Sequence, residues 1–357
     1  IDAATAPTVS IIVPGYNEEV NIVRTITTLK QQDYPNLHIY FVDDGSKDHT
    51  LERVHEAFDN DDTVTVLAKK NGGKASALNY GIAACRSEYV VCIDADTQLK
   101  NDAVSRLMKH FIADTEKRVG AVAGNVKVGN QRNMLTYWQA IEYTSSQNFD
   151  RMAYSNINAV TVVPGAIGAF RKEVIEAVGG FTTDTLAEDC DLTMSINEHG
   201  YIIENENYAV ALTEAPETLR QFVKQRIRWC FGVMQAFWKH RSSLFAPSKK
   251  GFGLWAMPNM LIFQYIIPTF SPLADVLMLI GLFTGNALQI FLYYLIFLII
   301  DASVSIMAYI FEGERLWVLL WVIPQRFFYR WIMYYVLFKS YLKAIKGELQ
   351  TWGVLKR

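Results

Sequence analysis

The sequence is poor in cysteine and, over one long stretch, has no acid at all. Its four cysteines, Cys85, Cys92, Cys190 and Cys230, show neither metal-ligand spacing nor a dense framework. That excludes a disulfide-stapled scaffold and leaves free thiols in a reducing compartment, which points to a cytosolic soluble part. Aspartate and glutamate are missing from residues 218–274. No charge of either sign occurs in 251–274 or in 276–300, with Asp275 alone between them. Each uncharged run exceeds the ~18–20 apolar residues of a membrane-span candidate, whereas buried core helices, the competing reading, usually supply about 10–14. No internal repeat or low-complexity tract is present.

Whole-chain averages of 51% hydrophobic residues and a net charge of −2 hide this division. Residues 1–240 carry most of the charge, and 357 residues leave room for one large domain plus a further segment. Arg220, Lys224, Arg226, Arg228, Lys239, Arg241, Lys249 and Lys250 lead into the first apolar run. Interleaved with Phe222, Ile227, Phe231, Met234 and Phe237, they suit a helix lying at a membrane interface, although a solvated basic helix has the same cations. Pro258, Pro268 and Pro272 interrupt the run and predict an interfacial piece followed by a span. Asp275 and Asp301 mark span ends or face a polar interior. Residues 316–338, broken by Pro324, Arg326 and Arg330, read as a span, a re-entrant piece or another interfacial helix. Tail cations Lys343, Lys346, Lys356 and Arg357 favour a cytosolic end. A start at Ile1-Asp2-Ala3-Ala4, without an initiator Met, predicts a fragment of a longer protein with membrane helices or a domain upstream.

The first half alternates. Short apolar runs at 9–13, 38–42, 63–67, 89–93 and 120–123 are separated by helical patterns at 20–29, 74–85 and 103–111. This pattern predicts an α/β fold with a mostly parallel sheet and helices on both faces. Ligands bind beyond the carboxyl ends of such strands, where the polar clusters 14–19, 43–46 and 94–97 fall.

Asp94-Ala95-Asp96 places two carboxylates at a strand exit, a pair able to hold a hard cation that also takes diphosphate oxygens; a turn would use the same residues. Asp43-Asp44-Gly45-Ser46 either accepts hydrogen bonds from a nucleobase or ribose or is a capped turn. Asn71-Gly72-Gly73-Lys74 offers amides and an ammonium to phosphate at a helix start, or is a plain glycine turn; it matches no P-loop or Rossmann fingerprint. Glu188-Asp189-Cys190-Asp191 is an N-terminal acidic cap or supplies a general base for an acceptor hydroxyl. Gln225, Arg228 and Trp229 share one helical face, where indole can stack on sugar and guanidinium can meet diphosphate.

Taken in order, Ile12-Val13-Pro14-Gly15-Tyr16-Asn17-Glu18, Asp43-Asp44-Gly45-Ser46, Asp94-Ala95-Asp96, Glu188-Asp189 and Gln225-x-x-Arg228-Trp229 resemble processive family 2 glycosyltransferases. Residues 124–130 and 163–170 most resemble the bacterial poly-β-1,6-N-acetylglucosamine and chitin-oligosaccharide synthase branch. Ala187 stands where cellulose-type enzymes have Thr, which weakens that branch. The resemblance implies a GT-A fold, a metal-dependent inverting transfer from a UDP-sugar (UDP-N-acetylglucosamine in the resembled branch), and a growing polysaccharide as acceptor. It assigns donor contacts to Pro14, Tyr16, Glu18, Asp43, Asp44, Lys74 and Asp94, and Mg²⁺ or Mn²⁺ to Asp96, with Asp94 near ribose or metal. Asp189 becomes the base. Gly165, Ala166, Phe170, Glu188, Gln225, Arg228 and Trp229 hold the acceptor end and diphosphate. A hyaluronan- or cellulose-like synthase, or a membrane enzyme adding one sugar to a lipid, are the alternatives, and a sugar sensor without catalysis would not need Asp189 beside Asp94 and Asp96. The implied organisation is a cytosolic GT-A domain (1–217), amphipathic interfacial helices (218–250), and transmembrane and membrane-associated helices with a short tail (251–357). The expected setting is the bacterial plasma membrane, multi-pass, with the bilayer and an accessory subunit or fused deacetylase domain as partners and no nucleic acid.

Overall fold

A computed structural model describes residues 4–346; Ile1, Lys356 and Arg357, which figure in the readings above, lie outside the described residues. The strands are β1 (Val9–Gly15), β2 (Leu37–Asp43), β3 (Val64–Ala68), β4 (Tyr89–Cys92), β5 (Gln98–Leu99), β6 (Val119–Val128), β7 (Gly168–Arg171) and β8 (Ile202–Thr213). They form one sheet in the order β3-β2-β1-β4-β7-β6-β8-β5. Strands β1 to β4 pair in parallel, and β6 pairs in parallel with β8. Antiparallel β7 is wedged between β4 and β6, and short β5 runs antiparallel to β8. The expected parallel sheet is therefore present with two reversed strands.

Helices cover both faces because side chains alternate along each strand. Ile11 and Val13 of β1 enter one core with Ile22 and Ile26 of α1 (Ile22–Leu29) and Leu107 of α4 (Ala103–Ala113). Helix α2 (Thr50–Phe58) adds Val54 to the same side. Ile12 points the other way, to Leu78 and Ile82 of α3 (Lys74–Ala84). Burying each such side chain contributes roughly 1.5–3 kcal/mol.

After β6 the chain forms α5 (Met134–Glu142), a π-helical stretch over Tyr143–Asn148, and α6 (Phe149–Ser155) as one continuous rod. Helix α7 (Lys172–Ala177) follows β7, α8 (Glu188–Glu198) precedes β8, and α9 (Leu219–Lys239) begins at an N-cap where the Thr218 side chain accepts from Gln221 N.

The C-terminal part corrects one expectation. The three prolines do not split the first apolar run: residues Phe252–Phe283 form one 32-residue helical rod, which contains α10 (Met257–Met260) and α11 (Ile267–Phe283). Pro258 and Pro268 fall at the first turns of these two segments, each just after a π-helical stretch that already breaks the regular hydrogen-bond ladder, so the missing N–H costs little. With α12 (Ala287–Glu312) this rod is long and apolar enough to cross a membrane. Phe263, Phe270, Leu277 and Phe291 lie exposed on the outer surface of the pair. The third region is a 3₁₀ turn over Leu316–Trp321 followed by α13 (Val322–Ile345), which packs along α9.

The acids Asp275 and Asp301 inside this apolar half are paired. Asp275 Oδ1 meets Arg330 Nη2 at 2.5 Å and Asp275 Oδ2 accepts from the Tyr334 hydroxyl at 3.2 Å; Asp301 pairs with Arg326. At the junction with the sheet, Asn125 Nδ2 donates to Glu312 Oε2 at 2.5 Å, and Lys127 Nζ lies 2.6 Å from Glu314 Oε1 and 3.2 Å from Glu312 Oε2.

Candidate active site

A cavity of about 1970 Å³ opens at the carboxyl ends of β1, β2 and β4 and continues down to α9 and α13. Pro14, Tyr16, Glu18, Asp44, Lys74, Asp94, Asp96, Gly165, Ala166, Glu188, Asp189, Gln225, Arg228 and Trp229 all line it. Strand exits and helix starts far apart in sequence thus meet around one space.

The β1 and β2 exits are laced together. Glu18 N donates to Thr50 Oγ1 at 2.8 Å, and Asn17 N to Ser46 Oγ at 3.0 Å. Gly45 takes φ +73°, and a Cβ there would lie 2.8 Å from Asn71 N, so only glycine lets the next loop approach this closely. Asp44 uses that closeness. Its carboxylate accepts from Gly72 N at 3.0 Å, Gly73 N at 2.7 Å and Lys69 Nζ at 2.8 Å.

Three expectations change here. The amides of Gly72 and Gly73 are engaged by Asp44 rather than offered to phosphate, and Asp44 braces the Asn71–Gly73 turn at the cavity edge. Asp43 is absent from the cavity wall: its Oδ2 accepts from Gly45 N and Ser46 N, both at 3.1 Å, so it closes its own turn. Phe170 is likewise absent. It sits on β7, 2% exposed, in the core beneath the site and edge-on to Phe181 at 6.1 Å.

At the centre stands Lys74, at the start of α3. Its ammonium lies 2.6 Å from Asp94 Oδ1 and 2.9 Å from Glu188 Oε1, so it ties the β4 exit to the start of α8. Burial opposes its charge, but the carboxylates of Asp94, Glu188 and Asp189 outweigh this and hold the ammonium above its ordinary range. The backbone of Ala95 is held from below, where Thr25 Oγ1 donates to its carbonyl at 2.7 Å. Burial, and then the neighbouring Asp94 charge, push Asp96 up to about 6.

Asp189 faces Lys74 from the first turn of α8. Its Oδ2 accepts from Gly165 N at 3.2 Å and its Oδ1 from Cys190 N at 2.8 Å. Burial first, and then the adjacent Glu188 charge, raise its carboxyl to about 6. A side chain on Gly165 would place Cβ 2.6 Å from Lys74 Nζ, so glycine is what admits the lysine. The other acid of this cluster, Asp191, points away from the cavity into a buried pocket with Thr182, Lys239 and His240.

The floor is α9. Gln225, Arg228 and Trp229 are half-buried, as their shared face requires. Sequence reading missed Arg226, which counted only as one more basic residue of an interfacial stretch. It is 2% exposed, its guanidinium carbon lies 4.3 Å from the Trp229 ring, and Nη2 meets Glu142 Oε2 at 2.8 Å. Tyr143 packs on the same indole, with ring centroids 6.3 Å apart. Trp229 is thus fixed by a buried cation on one side and an aromatic ring on another.

Residues 10–179 match the family model described as glycosyl transferase family 2. Residues 10–179 therefore form a glycosyl transferase family 2 domain. The chain is 32% identical over 234 residues to a poly-β-1,6-N-acetyl-D-glucosamine synthase of Staphylococcus epidermidis, and 33% identical over 224 residues to the Staphylococcus aureus (strain COL) protein of the same name. The matches cover 64% and 63% of this chain but only 56% and 54% of those relatives, a little over half their length. In fold, the chain is similar to a mannosyltransferase of Pyrobaculum calidifontis solved with GDP-mannose and Mn²⁺, at a TM-score of 0.63 and 24% identity, over 92% of this chain and 89% of that one.

Proposed function

We propose that this chain is an inverting, processive β-glycosyltransferase that moves N-acetylglucosamine from UDP-N-acetylglucosamine to a growing polysaccharide. The observation that carries the reading is Asp189, raised toward neutral pH and held against Gly165, across Lys74 from Asp94 in one cavity floored by Trp229. The staphylococcal relatives support the choice of sugar.

In this reading the donor lies with its nucleotide toward Tyr16 and Glu18 and its diphosphate toward Lys74 and Arg228. Asp189 takes the proton of the acceptor hydroxyl as that oxygen bonds to the anomeric carbon. The bond from that carbon to the diphosphate breaks on the opposite face, its electron pair leaves with UDP, and one displacement turns an α-linkage into a β-linkage. Asp96, with Asp94, fits a hard divalent cation: both are carboxylates, and Asp94 already holds a cationic ammonium at 2.6 Å. Mg²⁺ or Mn²⁺ bound there supplies positive charge to the leaving diphosphate.

Trp229 and Arg228 would retain the product end, which favours repeated addition over a single one. The cavity continues from this floor to Arg330 and Tyr334 beside the apolar helices, which supports a plasma-membrane, multi-pass location with residues 1–217 as the cytosolic catalytic part. Four unpaired thiols support the same side.

The test supplies membranes containing the chain with UDP-N-acetylglucosamine, UDP-glucose, UDP-glucuronic acid or GDP-mannose, with Mg²⁺ or Mn²⁺, and sizes the product. A long polymer from the first donor alone is expected. One sugar added to a lipid sinks processivity, and turnover only with another donor sinks the sugar assignment.

A further inference from the structure

One wall of the cavity belongs to no motif. The rod that contains the π-helical stretch forms it, with Glu142, Ser146, Asp150 and Tyr154 among the residues that line the cavity. In a regular α-helix each four-residue step rotates by about 40°, which would carry Tyr154 about 120° away from Glu142. The π-helical stretch lies between them and widens the turn, and π segments concentrate at functional sites.

Asp150 is the unusual member. Its carboxylate has no hydrogen bond or ion pair among the described residues, and burial is the only influence on it, pushing it up to about 6. Its neighbours are tied in place. Arg151 Nε donates to Val162 O at 3.1 Å and Nη1 to Gly124 O at 3.2 Å, which fixes α6 against the segment leading to Gly165. Beyond Asp150 the Tyr154 hydroxyl donates to Asn259 Oδ1 at 3.4 Å, and Asn259 also lines the cavity. A strip comprising Asp150, Tyr154 and Asn259 therefore runs from the loop beside Asp189 toward α10.

An unpaired carboxylate repels a diphosphate, so the nucleotide belongs at the Lys74 end. A neutral chain rich in hydroxyls suits this end: the carboxylate accepts from hydroxyl or amide N–H donors, the tyrosine gives a flat apolar face, and the asparagine both donates and accepts. Resting on the transfer reading above, we infer that Asp150, Tyr154 and Asn259 form a subsite for the acceptor saccharide, one or more sugar units behind the end that receives the new residue.

The test compares wild type with Asp150→Asn and Tyr154→Leu in membranes, using the donor that wild type turns over and N-acetylglucosamine oligosaccharides of one to five units as acceptors. Expected for both variants are a rise of about tenfold in acceptor KM for the longer oligosaccharides, equivalent to about 1.4 kcal/mol of lost binding, and shorter products. Donor KM and UDP affinity by calorimetry stay within about twofold. Because Asp150 has no partner to lose, Asp150→Asn keeps or raises the unfolding temperature. Unchanged acceptor KM and product length in both variants overturn the subsite, as does a lower unfolding temperature for Asp150→Asn. A wild type that adds one sugar to a lipid overturns the polymerase reading instead.

Discussion

His240 Nε2 lies 3.0 Å from Asp191 Oδ1 and its Nδ1 lies 2.9 Å from Glu198 Oε2, so one buried imidazole joins the end of α9 to two carboxylates of α8. Helix α8 carries Asp189 and α9 carries Trp229, and this clasp sets the distance between them. Burial opposes the charge on His240, but hydrogen bonds to Asp191 and Glu198 push it up to about 9, while burial of those two acids is outweighed by bonds to His240 that hold them below their ordinary range. Stability from the histidine is full below its unfolded value near 6.5 and lost as pH rises through about 9; stability from the acids is present above the ordinary carboxylate range and lost on acidification. The unfolding temperature in detergent is therefore expected to plateau between these limits and fall on both sides. His240→Leu, which leaves two buried acids short of a partner, should cost about 3–5 kcal/mol and remove the alkaline fall. An alkaline limb unchanged in that variant contradicts the assignment.

A base must be ionised to act. With Asp189 at about 6, kcat/KM is expected to decline as pH drops through that value. Asp189→Asn should lower kcat roughly 10²–10⁴-fold while UDP binding persists. Full activity at pH 5, or in the Asn variant, would assign the proton to another group.

Buried Arg226 and part-buried Glu142 form a pair in which stranding either charge costs more than removing both. Glu142→Gln or Arg226→Met alone should destabilise by about 3–5 kcal/mol, and the double variant by less than the sum. Strict additivity in chemical denaturation would mean that the 2.8 Å contact carries no energy.

Chelation is expected to abolish transfer, and Mg²⁺ or Mn²⁺ to restore it. Asp96→Asn should shift the metal titration of the initial rate to at least tenfold higher concentration. EDTA-resistant turnover removes the metal from the mechanism.

Local pattern made much of this legible. Apolar runs ending in polar clusters located β1, β2 and β4 and their exits, because strand period and turn chemistry are properties of neighbouring residues. Reversed β7 was not legible, since strand direction is decided by pairing with β4 and β6 across the chain. The same limit hid how Asp44 is used: only the folded turn shows Gly72 and Gly73 donating to it. Asp43 and Asp44 are identical in type and adjacent, yet one faces the cavity edge and the other its own turn. Arg226 carried no mark in sequence because burial, not identity, separates it from the basic residues around it. The π-widened rod left no local trace, as its composition is that of an ordinary helix.

The grip of Asn125 and Lys127 on Glu312 and Glu314 has a mechanical meaning. Strand β6 is an interior strand of the sheet, and α12 is one of the two apolar rods long enough to cross a membrane, so these contacts rivet the sheet to the apolar half. Pivoting of the sheet over the helices would have to break these contacts. In the polymerase reading proposed above, advance by one unit would then fall to the sugar chain itself, slipping across Trp229 while the surrounding frame stands still.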